Sequence, residues 1–481
     1  MMPKIVILWS DGVVLATLVL LLLYGLRIRA SSNLRATWLK VLRDRAAICS
    51  AVVLVLFFAV AVLDSLHFRR ALADVPSAGA QQRQAYSTRT ESLLDVVLAR
   101  QLEGRETSYS APLAMRGFTK DTVEVAGKSE RIHPRLLHGG ERLADDSRRA
   151  ADVALRGLLG LGLGALLALA AALLAAAALA RQHREPFSAA WRSLRRNQTD
   201  LPLRAALVTV LALCALFGPL LALAQHYHVF GTDRTGNDVF YQALKSIRTA
   251  FVIGTLSTLA TLPLAVGLGI VAGYLRGWVD EAVQYLYTVL SSIPNVLLIA
   301  ACVLMMQVFI DTHPDRFETG AERADVRLFL LCVILGLTGW ATLCRLLRAE
   351  TMKLTQLDYV QAATAFGVPP ARIMVRHIFP NVVHLIIITT VLDFSALILY
   401  EAVLSYVGVG VDPSMNSFGG MINLARTEMS RDPLVWWSFA AAFGFMVTLV
   451  LAANLFADGV RDAFDPRARS MRPRWRKAVA A

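Results

Sequence analysis

Asp393 and Glu401 are two carboxylates eight residues apart in an otherwise apolar run. On a helix they fall about 80° apart and share one side. Such a pair can relay protons, line the path of a polar solute, or accept hydrogen bonds that hold neighbouring helices in register. An ionised carboxylate facing hydrocarbon is costly, so that side must meet protein or water. His226 and His228 form an HxH, two of the ligands a metal needs, with no third in view. His377 and His384 stand where the run carrying Asp393 begins, and packing or a headgroup contact suits them better than catalysis. The GKS within Ala126 to Glu130 is not a phosphate loop. The glycine required five residues before Gly127 is Thr122, and no apolar strand leads into it. No set of nucleophile, base and orienting group can be assembled, so the chain reads as no enzyme, with no metal and no cofactor of its own.

A more ordered signal lies just before that run, in RAETMKLTQLDYVQAATAFGVPPARIMVRHIFPN, residues 348–381. Asp358 can cap a helix N-terminus, and Gln361 three residues on can complete a capping box. Gly367 supplies a left-handed stop, and Pro369 and Pro370 forbid continuation. A helix of roughly two turns, 359–366, is expected between them. Its middle residues, Ala362, Ala363 and Ala365, are small enough to let a partner surface approach closely. Arg345, Arg348 and Lys353 precede it, and Arg372, Arg376 and His377 follow.

The elements that must position these groups are membrane spans. The chain has 481 residues, 56% of them hydrophobic and only 18% charged, against an average near 25% charged. Its mean hydropathy is +0.52. Apolar runs at 5–26, 47–63, 153–180, 205–224, 251–274, 283–310, 328–347, 382–406 and 434–457 are of bilayer-crossing length. The expected fold is an all-α polytopic membrane protein of about nine helices. Arginine and lysine crowd residues 27–45, 181–204, 348–381 and the tail, which places those inside, the N-terminus outside and the C-terminus in the cytoplasm. Residues 64–152 then lie outside, with one convincing helix at 92–104. The net charge of +13 follows from these loops and does not indicate nucleic acid. The five cysteines form no CxxC pair and fall in or beside apolar runs, so neither a disulfide framework nor a zinc site is expected.

From about residue 189 to 467 the chain resembles the C-type permease subunit of bacterial dipeptide, oligopeptide and nickel ABC importers. YVQAATAFGVPPARIMVRHIFPN resembles that family's EAA loop. WRSLRRN (191–197), FGTDRTGNDVF (230–240), AGYLRGWVDE (272–281), SIPN (292–295), LYEAVLSYVGVGV (399–411) and NLFADGVRDAFDPR (454–467) match in order. The resemblance implies that the last six spans form a permease bundle, with 1–188 an N-terminal extension and 468–481 a basic tail. It implies a second homologous permease, two cytoplasmic ATPase subunits that bind ATP and Mg, and an extracytoplasmic solute-binding protein, all at the bacterial inner membrane. Asp358, Tyr359, Gln361, Ala362, Ala363 and Gly367 would form the helix that couples to the ATPase. Arg372, His377, Pro380 and Asn381 would set its return to the membrane; Asp393 and Glu401, by their own placement, either line the path or hold neighbouring helices by hydrogen bonds. Two positions depart from the family: Gln361 replaces the usual acid, and Asn237 replaces an arginine in the outer loop. Two other readings compete: a proton-coupled transporter using Asp393 and Glu401, and a non-transporting scaffold or sensor whose receptor is 64–152.

Overall fold

The computed structural model describes residues 4–71, 86–87, 89–125, 128–141, 143, 145–317 and 319–464. The basic tail 468–481 and Gly127 of the GKS lie outside the described residues. The first part of the chain gives β1 (Lys4–Val6), α1 (Trp9–Ala30), α2 (Ser32–Arg43), α3 (Arg45–Asp64), β2 (His67–Arg69) and β3 (Glu91–Ser92). It continues with α4 (Leu93–Val97), α5 (Ala99–Glu103), β4 (Asp121–Val125), β5 (Lys128–Ile132) and α6 (Arg149–His183). Then come α7 (Phe187–Arg195), α8 (Leu203–Ala224), α9 (Val239–Leu275), α10 (Gly277–Ser292), α11 (Asn295–Thr312) and α12 (Gly320–Gly339). The last are α13 (Ala341–Leu354), α14 (Asp358–Ala365), α15 (Pro370–Ile373), α16 (Phe379–Val407), α17 (Phe418–Glu428) and α18 (Trp437–Phe464).

Among the described residues eight helical segments are long and apolar enough to cross a bilayer: α1, α3, α6, α8, α9, α11, α16 with its preceding turns, and α18. Helices α12 and α13, bent by 41° at their junction, make a ninth when counted together. The protein is therefore an all-α polytopic membrane protein. Its few strands form two small antiparallel sheets, β1-β2-β3 and the hairpin β4-β5.

Four expectations change in detail. The run 283–310 is broken: α10 ends with Ile293 in extended backbone at φ −90° and ψ 131°, as expected for a residue preceding a proline. Only α11 crosses there. The run 251–274 extends back to Val239, making α9 37 residues long. The first span starts at Trp9, because Ile5 pairs with Phe68 in the sheet. The single helix at 92–104 divides at Leu98 into α4 and α5. Lys128 and Ser129 of the GKS stand in strand β5.

Helix α9 is the hub, packing against α1, α3, α10, α12, α13, α16, α17 and α18. Helix α6 joins the bundle chiefly through α8. Gly160 and Gly164 of α6 face Gly218 and Cys214 of α8 so closely that the backbones touch. A Cβ at Gly160 would lie 2.5 Å from the Gly218 carbonyl oxygen, and one at Gly218 2.4 Å from that of Gly160. Small residues at such spacing replace the hydrophobic effect, which is weak between helices in lipid, with close van der Waals packing. Gly218→Leu should therefore separate α6 from α8 at a cost of about 1–3 kcal/mol, the range for overpacking. A lower thermal unfolding midpoint of the detergent-solubilised chain reads it; an unchanged midpoint refutes the contact.

Candidate functional site

Residues 348–381 fold as a compact bracket. Helix α14 starts one residue earlier than expected, at Asp358, and its N-cap is Leu357, at φ −78° and ψ 142° with no side-chain cap. Asp358 is thus the first helical residue, where its charge suits the positive end of the helix. Gln361 does not complete a capping box; its amide donates to the Gln356 carbonyl at 3.2 Å. The turn before the helix is closed by backbone bonds instead, from Gln356 N to Lys353 O and Leu357 N to Leu354 O, both 3.1 Å.

The far end does follow the expected grammar. Gly367 takes φ +74°. Val368 N then reaches back to Ala363 O at 3.1 Å and Gly367 N to Thr364 O at 3.0 Å, the paired bonds of a Schellman stop. Val360 is fully buried, and Ala363 and Val368 pack beside it on a cluster with Leu347, Ile373, Ile378 and Val382. Tyr359, Ala362 and Phe366 are exposed, Phe366 by 88%. Spaced i, i+3 and i+7, these three form one face of the short rod and its stop.

The rod is tied at both ends. Asn381 Nδ2 donates to Tyr359 Oη at 3.1 Å and to His377 O at 2.6 Å, and the Tyr359 and His377 rings lie 6.2 Å apart. Those bonds join α14 to the head of α16, where Pro380 sits in the first turn and loses no helix bond. A π-helical turn, Met374–Ile378, leads into that span. Arg372 stands exposed in α15 and makes no ion pair among the described residues. On the other side α10 braces α13. Asp280 takes both Arg348 Nε and Nη2, the latter at 2.7 Å, and Gln284 at 3.0 Å. The Arg345 guanidinium lies 4.6 Å from the Tyr287 ring centre, and Arg276 bonds Thr355 Oγ1 at 2.9 Å.

The carboxylates of α16 have separate surroundings. Glu401 is buried and accepts from Ser405 Oγ at 2.6 Å, with Gly419 of α17 against the same oxygen. Asp393, two turns away, is half-buried and has no hydrogen-bond or ion-pair partner among the described residues. The HxH likewise divides. His226 meets Arg100 at 3.3 Å, while His228 is buried between Asp238 at 2.7 Å and Glu106 at 3.4 Å. His384 is half-buried in α16. Among the described residues no cluster of three or more possible metal ligands occurs.

Sequence reasoning missed an extended buried polar assembly at the head of α9. Arg248 on α9 bonds Asp11 at 2.6 Å and Ser10 Oγ at 2.5 Å, and lies 3.6 Å from Asp325. His67 holds the other Asp11 oxygen at 2.7 Å. One turn before, Lys245 bonds Asp64 at 2.7 Å and Asp95 at 2.9 Å. Beginning the span at residue 251 left both cations in a loop, although their i, i+3 spacing on an extended α9 was a readable signal.

Glu106 clamps the same region. Its carboxylate accepts from the amides of Leu137, His138 and Gly139 at 2.9, 2.7 and 3.2 Å. Its backbone N bonds Gly236 O at 3.0 Å. Gly236 takes φ +78°, and a Cβ there would come within 1.9 Å of the Glu106 carbonyl oxygen. Asn237 donates from its side chain to Asp233 at 3.3 Å, so it serves as a turn former within its own loop.

The bundle and its bracketed loop define a multi-pass helical membrane protein. Residues 265–470 match the family described as binding-protein-dependent transport system inner membrane component. The oligopeptide transport system permease protein OppC of Mycobacterium tuberculosis is 30% identical over 256 residues, covering 53% of this chain and 81% of that protein. The glutathione transport system permease protein GsiD of Pectobacterium atrosepticum is 32% identical over 243 residues (50% and 74%). The dipeptide transport system permease protein DppC of Alkalihalophilus pseudofirmus is 27% identical over 299 residues (59% and 91%). The chain belongs to the binding-protein-dependent transport system inner membrane component family and is a permease subunit of an ABC importer.

The His228 clamp carries a pH dependence. Burial pulls its imidazole down, but the bonds to Asp238 and Glu106 outweigh it and raise the pKa from 6.5 to about 9. Burial likewise pushes Glu106 up, yet His228 and the amides hold it below 4.5. A raised histidine stabilises fully below its unfolded pKa and loses that contribution as pH rises through the folded value; a depressed carboxylate is the reverse. Protection of residues 93–141 from protease should thus be steady between about pH 5 and 6.5 and decline from there towards 9. In His228→Gln that slope should vanish; an equal slope in both proteins rules the clamp out.

Proposed function

We propose that this subunit forms half of the translocation path of an importer for peptides or a similar small solute, and that α14 is its contact with the motor. Its partners are a second homologous permease, two cytoplasmic ATPase subunits that hold ATP and Mg, and an extracytoplasmic solute-binding protein. The N-terminus lies outside and the C-terminus in the cytoplasm, consistent with the basic residues at 27–45 and 348–381. Residues 189–467 are the permease domain, 1–188 an extension and 468–481 its tail.

One observation carries the coupling role: a two-turn rod, bonded to the spans on both sides, turns Tyr359, Ala362 and Phe366 outward. A rigid link transmits displacement, and a small central residue lets a partner surface come close. Asp358, Gln361, Ala363 and Gly367 shape the rod, while Arg372, His377, Pro380 and Asn381 fix its return to the membrane. A secondary reading of Asp393 as a path residue rests on its half-buried carboxylate having no protein partner among the described residues; Glu401 serves packing between α16 and α17. The solute class follows what the relatives carry and no side chain of this chain.

Ala362→Arg tests the coupling, because the position is exposed and the fold does not need it. The expected result is normal membrane insertion with loss of ATPase co-purification and of solute uptake. Retention of both removes α14 from the coupling role.

A further inference from the structure

A deep cleft of about 900 Å³ lies between α3, α6, α8 and α9, away from α14 and from the α16 carboxylates. Its walls are apolar: Val55 and Val60 on α3, Leu159, Leu163 and Leu167 on α6, and Phe217 on α8 among them. Its polar lining is confined to one end, where α6 begins and α8 finishes, with Arg156, Gln225 and His226. Val55, Leu159 and Leu163 remain 68, 59 and 61% exposed, so the chain does not fill this space itself.

Depth and rim chemistry together point to the occupant. Arg156 to Leu167 spans three turns of helix, about 17 Å of depth. One leaflet of a bilayer core is about 15 Å deep. A groove of one leaflet's depth with apolar walls and a polar rim at one end matches the length and polarity of a phospholipid's acyl chains and headgroup. The rim supplies the matching headgroup chemistry. Asp152 engages Arg156 only through Nε, at 2.7 Å, and is itself held by Tyr227 at 2.8 Å. The two terminal nitrogens of Arg156 are left for an anion, and a guanidinium edge suits phosphate oxygens.

We propose that this cleft binds one glycerophospholipid from the leaflet at which α6 begins, with its acyl chains along Leu159, Leu163 and Leu167 and its phosphate on Arg156. The lipid joins α6, which the protein itself holds chiefly through α8, to the face formed by α3 and α9. The site is separate from the transport reading and stands or falls independently of it.

Native mass spectrometry of the full chain, purified in detergent and titrated with phosphatidylglycerol, reads the occupancy. One phospholipid per chain is expected. Val55→Trp with Leu163→Trp fills exposed space and should weaken binding about tenfold or more, as should loss of the phosphate contact in Arg156→Glu. The double tryptophan variant should keep the wild-type thermal midpoint without added lipid, since it removes no buried apolar contact, whereas Arg156→Glu also gives up the ion pair to Asp152 and is compared by its lipid affinity. In membranes, a photoreactive residue at position 55 should crosslink to lipid. Wild-type affinity in both variants overturns the proposal, as does crosslinking of position 55 to another polypeptide. Should the double tryptophan variant unfold, the Arg156→Glu titration decides alone.

Discussion

Two cations on one helix govern how this molecule is built. Arg248 and Lys245 lie where α9 enters the bundle, 7% and 14% exposed. A buried charge without a partner costs several kcal/mol, on the order of 3–5 when a pair is broken. Their counter-charges come from four other elements: Asp11 on α1, Asp64 at the end of α3, Asp95 in α4, and Asp325 on α12. Since α9 is also the hub of apolar packing, these pairs fix the entry point about which the remaining helices arrange themselves. Three of the four carboxylates, Asp11, Asp64 and Asp95, come from the first hundred residues, so the charges of α9 bind that part of the chain into the bundle.

The opposite end of α9 meets a different kind of constraint. There Gly269 and Gly273 allow α13 to approach, with a Cβ at Gly273 placed 2.7 Å from Arg348 O. Helix α13 leads straight into the bracket of α14, and α16 leads out of it. A single long helix thus runs from the ion-pair assembly to the polar loop. Movement of the bracket meets a bundle anchored by charge at one end and by close backbone contact at the other.

What was legible in the sequence divides by range. Apolar runs gave the spans, since about 20 apolar residues in a row seldom fold as anything but a membrane helix. Gly367 and the prolines after it gave the helix stop, because a left-handed residue is a local requirement. Asp358 misled: the turn closing α13 satisfies the backbone first, and Leu357 then takes the cap position. Pro294 carried its warning plainly, but the apolar count passed over it. The ion pairs were hidden for a different reason. Arg248 and Asp11 are 237 residues apart, and pairing over that distance is decided only when α1 packs beside α9. Glu106 was illegible in the same way, because burial and hydrogen-bond partners, not spacing, define what it does.

The contact between Gly236 and Glu106 constrains what the chain can change. Backbone conformation alone would leave the loop around Gly236 tolerant of asparagine, but the carbonyl of Glu106 closes that option. Gly236 has thereby lost the freedom its loop would allow, to a segment laid over it. The two regions can no longer drift apart independently. Genetic suppressors of a bulky change at Gly236 belong near residue 106, well outside its own loop, and grafting this loop without its cover would restore the lost latitude.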